Sequence, residues 1–254
     1  DIIHAAIDSG VTYLDTAPAY GQAQVQLGEV LRERRDDVFV VTKTLTDSAD
    51  EALRILENSL DELKTDHVDL TFVHSVGSLN VDAILAPDGV LAGLREARRR
   101  GWSRYIGITA HARPENAKRI LEAEDIDAVM FALNYIDRHT YNFQADPLRL
   151  AIEQNVAVAA MKAFGGAQNM KYEKPVKSQM YNSGVRDHRS ALRYALSLDG
   201  VSTAVVGMFS LEEVEENVAY ARSYEPMDLR EMEALEEKGR TLAGTWKDHF
   251  GPLT

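Results

Sequence analysis

The chain has no cysteine among its 254 residues. That excludes disulfides and thiolate metal sites, and it fits a reducing compartment, which points to the cytoplasm. No apolar run approaches the roughly 18 residues that a membrane span needs, and no signal-peptide pattern opens the chain, which begins at Asp1 without an initiator Met. A basic surplus is also missing. Twenty-eight Lys and Arg face 40 Asp and Glu, a net charge of −12, which argues against binding nucleic acid through a general field. The one basic run, Arg98-Arg99-Arg100, closes a predicted helix, where it complements the helix dipole. No H-x-H pair offers a metal site, which weakens a metal-hydrolase reading built on His74, His111 and His139. No glycine-rich turn follows the first predicted strand, as it would in a dinucleotide-binding doubly wound sheet.

What is present is alternation. Helical spacing over Ile2–Ile7 ends at Gly10, and Val11–Ala17 reads as a strand. Further predicted strands are Val38–Lys43, Val68–His74, Arg104–Ala110, Ala128–Asn134, Val156–Phe164 and Ser202–Val206. The unbroken apolar run before Lys43 suggests a parallel strand covered on both faces. Helices lie between the strands. Ser48 with Glu51 and Ser210 with Glu213 have capping-box spacing, and Pro87 marks a first turn. Ala167–Arg186 has no period and is long for a connection, so it is expected to be a lid, a substrate loop or disorder. A charged amphipathic helix, Leu229–Leu242, closes the pattern.

Strict alternation implies parallel strands and right-handed crossovers. The expected fold is α/β, a TIM-type (β/α)8 barrel that opens on a helix and lacks its first strand. Residues 1–226 are expected to form the barrel, and residues 227–254 a C-terminal helix and tail of the same domain. Such a barrel gathers the C-terminal ends of its strands. Asp15, Lys43 and His74 stand at three of those ends, and Tyr20 follows in the first loop. A phenol beside an ammonium is favoured in its ionised form, and a carboxylate keeps the ammonium charged and in place. With a histidine to hydrogen-bond a substrate oxygen, the set becomes a proton donor for a developing alkoxide. None of the four supplies a hydride, so a nicotinamide would have to.

The motifs Leu14-Asp-Thr-Ala-Pro-Ala-Tyr-Gly21, Val41-Thr-Lys43, Phe72-Val-His74, Tyr105-Ile-Gly-Ile-Thr109 and Glu215-Glu-Asn217 make the chain resemble the aldo-keto reductases, as far as about Pro226. The resemblance implies a TIM barrel, a small carbonyl substrate and NADP(H) or NAD(H), with no metal, nucleic acid or membrane involved. It implies Tyr20 as general acid, Lys43 and Asp15 as the groups that tune it, and His74 as the group that orients the carbonyl.

For the cofactor, the resemblance implies Thr109, His111 and Asn134 near the carboxamide. Met161 and Lys162 stand where the family stacks an aromatic, with Ala163, Phe164 and Gly165 along the pyrophosphate. Gly207, Met208, Ser210 and Glu213 would surround any 2′-phosphate, and Glu216 and Asn217 the adenine. Ala110 replaces a familiar Asn. Glu212 and Glu213 oppose a phosphate, so a weak preference for NADPH and acceptance of NADH are expected. The likeness is nearest to a subgroup that often continues into a cysteine-rich iron–sulfur segment. A piece of a longer protein is therefore expected. The alternative is a nucleotide-binding regulatory or sensor barrel with little turnover. Substrate walls are expected from Ser75–Asp88 and Ala167–Arg186.

Overall fold

The computed structural model describes residues 1–167 and 176–253. In chain order its elements are α1 (Ile2–Asp8), β1 (Tyr13–Asp15), α2 (Ala23–Arg34), β2 (Phe39–Thr44), α3 (Ala49–Leu63) and β3 (Val68–Val73). Then come α4 (Val81–Ile84), α5 (Val90–Arg99), β4 (Ser103–Ala110), α6 (Pro114–Ala123), β5 (Ala128–Ala132) and α7 (Asp146–Glu153). Last are β6 (Ala157–Met161), α8 (Gln179–Asn182), α9 (His188–Leu196), β7 (Val201–Val205), α10 (Leu211–Arg222) and α11 (Leu229–Trp246). The seven strands found among the described residues follow one another in a sheet of order β1 to β7. The β1–β2, β2–β3, β3–β4 and β6–β7 pairs are parallel.

Two local expectations fail. Ser48 stands at the N-cap of α3, but its side chain makes no cap hydrogen bond. Glu51 is held instead by Arg54 Nε and Nη2, at 2.8 and 2.5 Å, and so does not reach back. Pro87 does not open a helix either. It lies in the turn before Gly89, which caps α5. Of the Ala167–Arg186 stretch, residues 168–175 lie outside the described residues, and the rest includes the single turn of α8.

Two compact units divide the chain. The first comprises residues 1–109 with 119–129, and the second residues 110–118 with those from 130 onward. In the first unit, Leu27, Val30 and Leu31 of α2 and Leu56, Leu60 and Leu63 of α3 pack in one buried cluster with Val40 and Val68 of the strands. Side chains of this size each contribute about 1.5–3 kcal/mol when fully buried. Their spacing on α3 gives that helix one apolar face.

In the second unit, α11 starts on a complete capping box between Asp228 and Glu231. Arg193 of α9 ties that start down. It donates to both Glu231 oxygens at 2.7 and 2.9 Å and to the carbonyls of Glu225 and Pro226. Farther along, Gly239 lets α11 touch backbone: a β-carbon there would lie 2.0 Å from the Tyr135 carbonyl oxygen.

Candidate active site

Strand register explains how distant residues share a face. Asp15 pairs with Val41, and Lys43 with Phe72, which pairs with Gly107. Alternate residues of a strand point the same way, so Asp15, Val41, Lys43, Phe72, Gly107 and Thr109 face one side. Thr42 faces the other, where its hydroxyl meets Gln24 of α2 at 2.6 Å. The side bearing Lys43 is therefore the one turned away from the helices of this unit.

Along that side the side chains change character. At the N-terminal ends lie Tyr13, Phe39 and Tyr105, with Tyr13 stacked on Phe39 at 5.5 Å and Phe39 on Tyr105 at 6.3 Å. At the C-terminal ends lie the polar groups. Lys43 Nζ donates to Asp15 Oδ1 and Oδ2, at 2.7 and 2.6 Å, and to the Thr16 carbonyl at 2.9 Å. The lysine is 1% exposed and the Asp15 side chain 8%. Burying two charges is costly unless each is paired and hydrogen-bonded, a condition this three-bond arrangement meets.

Tyr20 sits above the pair in a turn of 3₁₀ helix, Pro18–Tyr20, with Pro18 in its first turn and Gly21 closing it at φ 62°. Lys43 Nζ lies 4.9 Å from the centre of the Tyr20 ring. The His74 ring meets Tyr20 edge-on, with ring centres 6.0 Å apart. The His74 amide donates to the Thr44 carbonyl at 2.8 Å. The next residue, Ser75, turns at φ 56° and gives its N–H to the Thr109 hydroxyl at 2.8 Å. Thr109 thereby fixes the turn behind His74.

Exposure and position separate the three phenols of this face. Tyr20 is 43% exposed. Tyr13 is half-buried with its hydroxyl out of solvent, and burial followed by the Asp15 carboxylate pushes its phenol well above the usual range. Tyr105 is as exposed as Tyr20 but lies at the N-terminal ends of the strands, so Tyr20 is the open phenol that stands beside Lys43 and His74.

The expected cofactor residues of the second unit are placed less evenly. His111 lies against Phe250, ring centres 5.5 Å apart. Burial, then Lys162 and His249, lower its imidazole to about 4. The Asn134 side chain donates to Asp137 Oδ2 at 2.7 Å and to the Lys162 carbonyl at 3.0 Å. Its oxygen accepts the Ile136 and Asp137 amides at 3.0 and 2.8 Å. Met161 and Ala163 are buried. Lys162 has φ 59° and Gly165 φ 78°, and the Gly165 N–H returns to the Lys162 carbonyl at 2.7 Å. Phe164 lies edge-on to His188 at 4.8 Å.

After β7, a β-carbon on Gly207 would meet, among the described residues, only the Phe209 ring, at 3.5 Å. Ser210 caps α10 by accepting the Glu213 N–H at 3.2 Å, and Glu213 Oε2 accepts the Phe209 N–H at 2.6 Å. Asn217 donates to the Glu213 carbonyl at 2.8 Å. Met208 and Glu216 flank these groups in the chain.

The profile of the Aldo/keto reductase family matches residues 1–239. The chain belongs to that family.

Its relatives among aldo-keto reductases are distant. The oxidoreductase YqkF of Bacillus subtilis is 25% identical, over 87% of this chain and 81% of its own. The holo form of aldo-keto reductase AKR11C1 from Bacillus halodurans superposes with a TM-score of 0.76 at 23% identity, covering 98% of this chain and 89% of that one. An aldo-keto reductase of Klebsiella pneumoniae in complex with NADPH gives 0.72 at 21% identity, over 93% and 83%. At such identities the structural likeness speaks to the fold, which is the TIM-type barrel of the aldo-keto reductases carrying the extra C-terminal helix α11. The structure brings together Asp15, Tyr20, Lys43 and His74, the four residues expected from the sequence, and it also gathers Asp137, Trp246 and His249, which the sequence did not single out. The spacing of Asn134 and Asp137, three apart at a strand end, was the one available sign of an Asx-type turn.

Proposed function

We propose that the protein reduces an aldehyde or ketone to the alcohol, with NAD(P)H as reductant and Tyr20 as proton donor. The observation that supports this most is the buried Asp15–Lys43 pair set against the exposed ring of Tyr20 beside His74. A reduced nicotinamide, when bound, supplies the hydride to the carbonyl carbon. The Tyr20 hydroxyl gives its proton to the carbonyl oxygen, so that the alcohol O–H forms as the phenolate is left. Lys43 stabilises that phenolate, Asp15 holds the ammonium in place, and His74 hydrogen-bonds the oxygen.

The residues expected around the cofactor fit a dinucleotide. Gly207 leaves backbone open beside Phe209, where a dinucleotide could lie close to main chain. They fit a 2′-phosphate less well. At the start of α10 the Phe209 amide is taken by the Glu213 carboxylate and the Glu213 amide by Ser210. Free amides at a helix start attract anions, whereas here a carboxylate already holds that place. NADH is therefore accepted beside NADPH.

The test follows oxidation of NADH and NADPH with a panel of aldehydes, ketones and quinones, in wild type and Tyr20→Phe. The variant should bind dinucleotide normally and lose about 10²–10⁴ in kcat. Wild-type turnover in Tyr20→Phe would end this mechanism. Binding without oxidation across the panel would favour the sensor reading.

A further inference from the structure

The C-terminal turn of the second unit is fastened by a buried polar chain. His249 Nε2 meets Asp137 Oδ1 at 2.8 Å, and the two side chains are 3% and 1% exposed. His249 Nδ1 is buried and has no partner among the described residues, so Asp137 is the ring's one hydrogen-bond tie there. Asp137 Oδ2 in turn accepts from Asn134, whose amide also holds the Lys162 carbonyl. That same carbonyl accepts the Gly165 amide and closes the turn.

A second line of contacts runs parallel to the first. Tyr141 accepts the Phe250 N–H at 2.7 Å and donates to the Gly251 carbonyl at 3.0 Å. Trp246, held by its indole N–H on Ser183 at 2.8 Å, fills the place of a side chain at Gly165: a β-carbon there would lie 2.5 Å from the indole ring. A β-carbon on Gly166 would come within 3.5 Å of Phe250. Both protons and both lone-pair positions of the Asn134 side chain are used within this network, so it has no capacity left to grip a carboxamide.

We infer that Asp137 and His249 are positioning residues for the cofactor: through Asn134 they lock the Lys162–Gly165 turn in shape, with Trp246–Gly251 clasped over it. The inference rests on reading that turn as part of the cofactor site. Asn134 acts on the cofactor through the turn rather than by touching it, which revises the direct contact expected from the sequence. A turn held ready before binding avoids the ordering cost that a mobile one incurs, so the pair acts on affinity more than on the chemical step.

Two readouts test this. Hydrogen exchange at the Gly165 amide in the ligand-free protein reports the turn itself, and titration with NADH and NADPH reports its use. His249→Ala and Asp137→Ala should speed that exchange tenfold or more, weaken dinucleotide binding about tenfold, and leave kcat at saturation within about threefold. His249→Gln, whose amide can replace the ring N–H, should restore both. Tyr141→Phe should shift exchange and affinity in the same direction by a smaller factor, and it serves if His249→Ala does not fold. Leu56→Ala, in the other unit, should lose stability with affinity unchanged, which separates general weakening from loss of the turn.

Wild-type exchange, or wild-type affinity, in a folded His249→Ala or in Tyr141→Phe overturns the inference. If wild type binds neither dinucleotide, the reductase reading falls. Exchange at Gly165 then still decides whether the pair holds the turn.

Discussion

The Lys43 ammonium lies 4.9 Å from the centre of the Tyr20 ring while both oxygens of Asp15 hold it at 2.7 and 2.6 Å. A buried, fixed cation beside an exposed phenol concentrates positive potential at that ring, where the proposed proton transfer would leave negative charge. In a partly desolvated site that potential is worth more than in water.

Removing one member of the pair should cost more than removing both. Lys43→Met leaves the Asp15 carboxylate buried without its counter-charge, a defect of about 3–5 kcal/mol. Lys43→Met combined with Asp15→Asn should recover much of that loss, though neither protein should turn over. Urea unfolding of the single and double variants measures the difference. Equal stabilities would mean that the pair is not desolvated as described.

His111 should be neutral throughout the physiological range, because its imidazole is lowered to about 4 by burial, then by Lys162 and His249. The unfolded chain takes up that proton near pH 6.5 and the folded one near 4, so the unfolded state binds more protons between those values. Stability from this group is complete above about pH 6.5 and is lost as the pH falls through about 4, with a total on the order of 3 kcal/mol. His111→Gln should flatten the dependence over that window. Unfolding free energies at a series of pH values give the slope, and a slope unaffected by the substitution would refute the assignment.

Glu213→Gln keeps an acceptor for the Phe209 amide while removing the negative charge at the start of α10. The KM for NADPH should fall about fivefold, the KM for NADH should stay within twofold, and the gain should shrink at high salt, as a charge effect of about 1 kcal/mol near the surface would. A KM for NADPH that does not move would place the phosphate elsewhere.

Much of this was legible in the residues. Apolar runs ending at Lys43 and before His74 marked buried parallel strands, and parallel strands bring their C-terminal ends together. That rule brought Asp15, Lys43 and His74 together, and Tyr20 came from the loop after the first strand. Ser48 was misread because its partner in a capping box, Glu51, found Arg54 first. Pro87 was misread because the residues after it form a tight turn before the helix resumes at Val90. Asn134 was expected near the carboxamide because the resemblance sets it where the family has a glutamine. Its commitment to Asp137 and to the Lys162 carbonyl depends on neighbours that only folding supplies. The His249–Asp137 pair was invisible for the same reason. The two residues stand 112 positions apart, and the tail around His249 carries no periodic pattern to announce it.

The chain has two tryptophans, and each unit holds one. Trp102 is partly buried against the α2–α3 cluster, with the Arg100 guanidinium 5.0 Å from its ring. Trp246 is 4% exposed and meets the His249 ring edge-on at 5.2 Å. Forms that retain one indole each would therefore give the two units separate optical signals, with no dye attached. Whether their melting curves coincide is then a direct reading of whether this barrel comes apart in one step or in two.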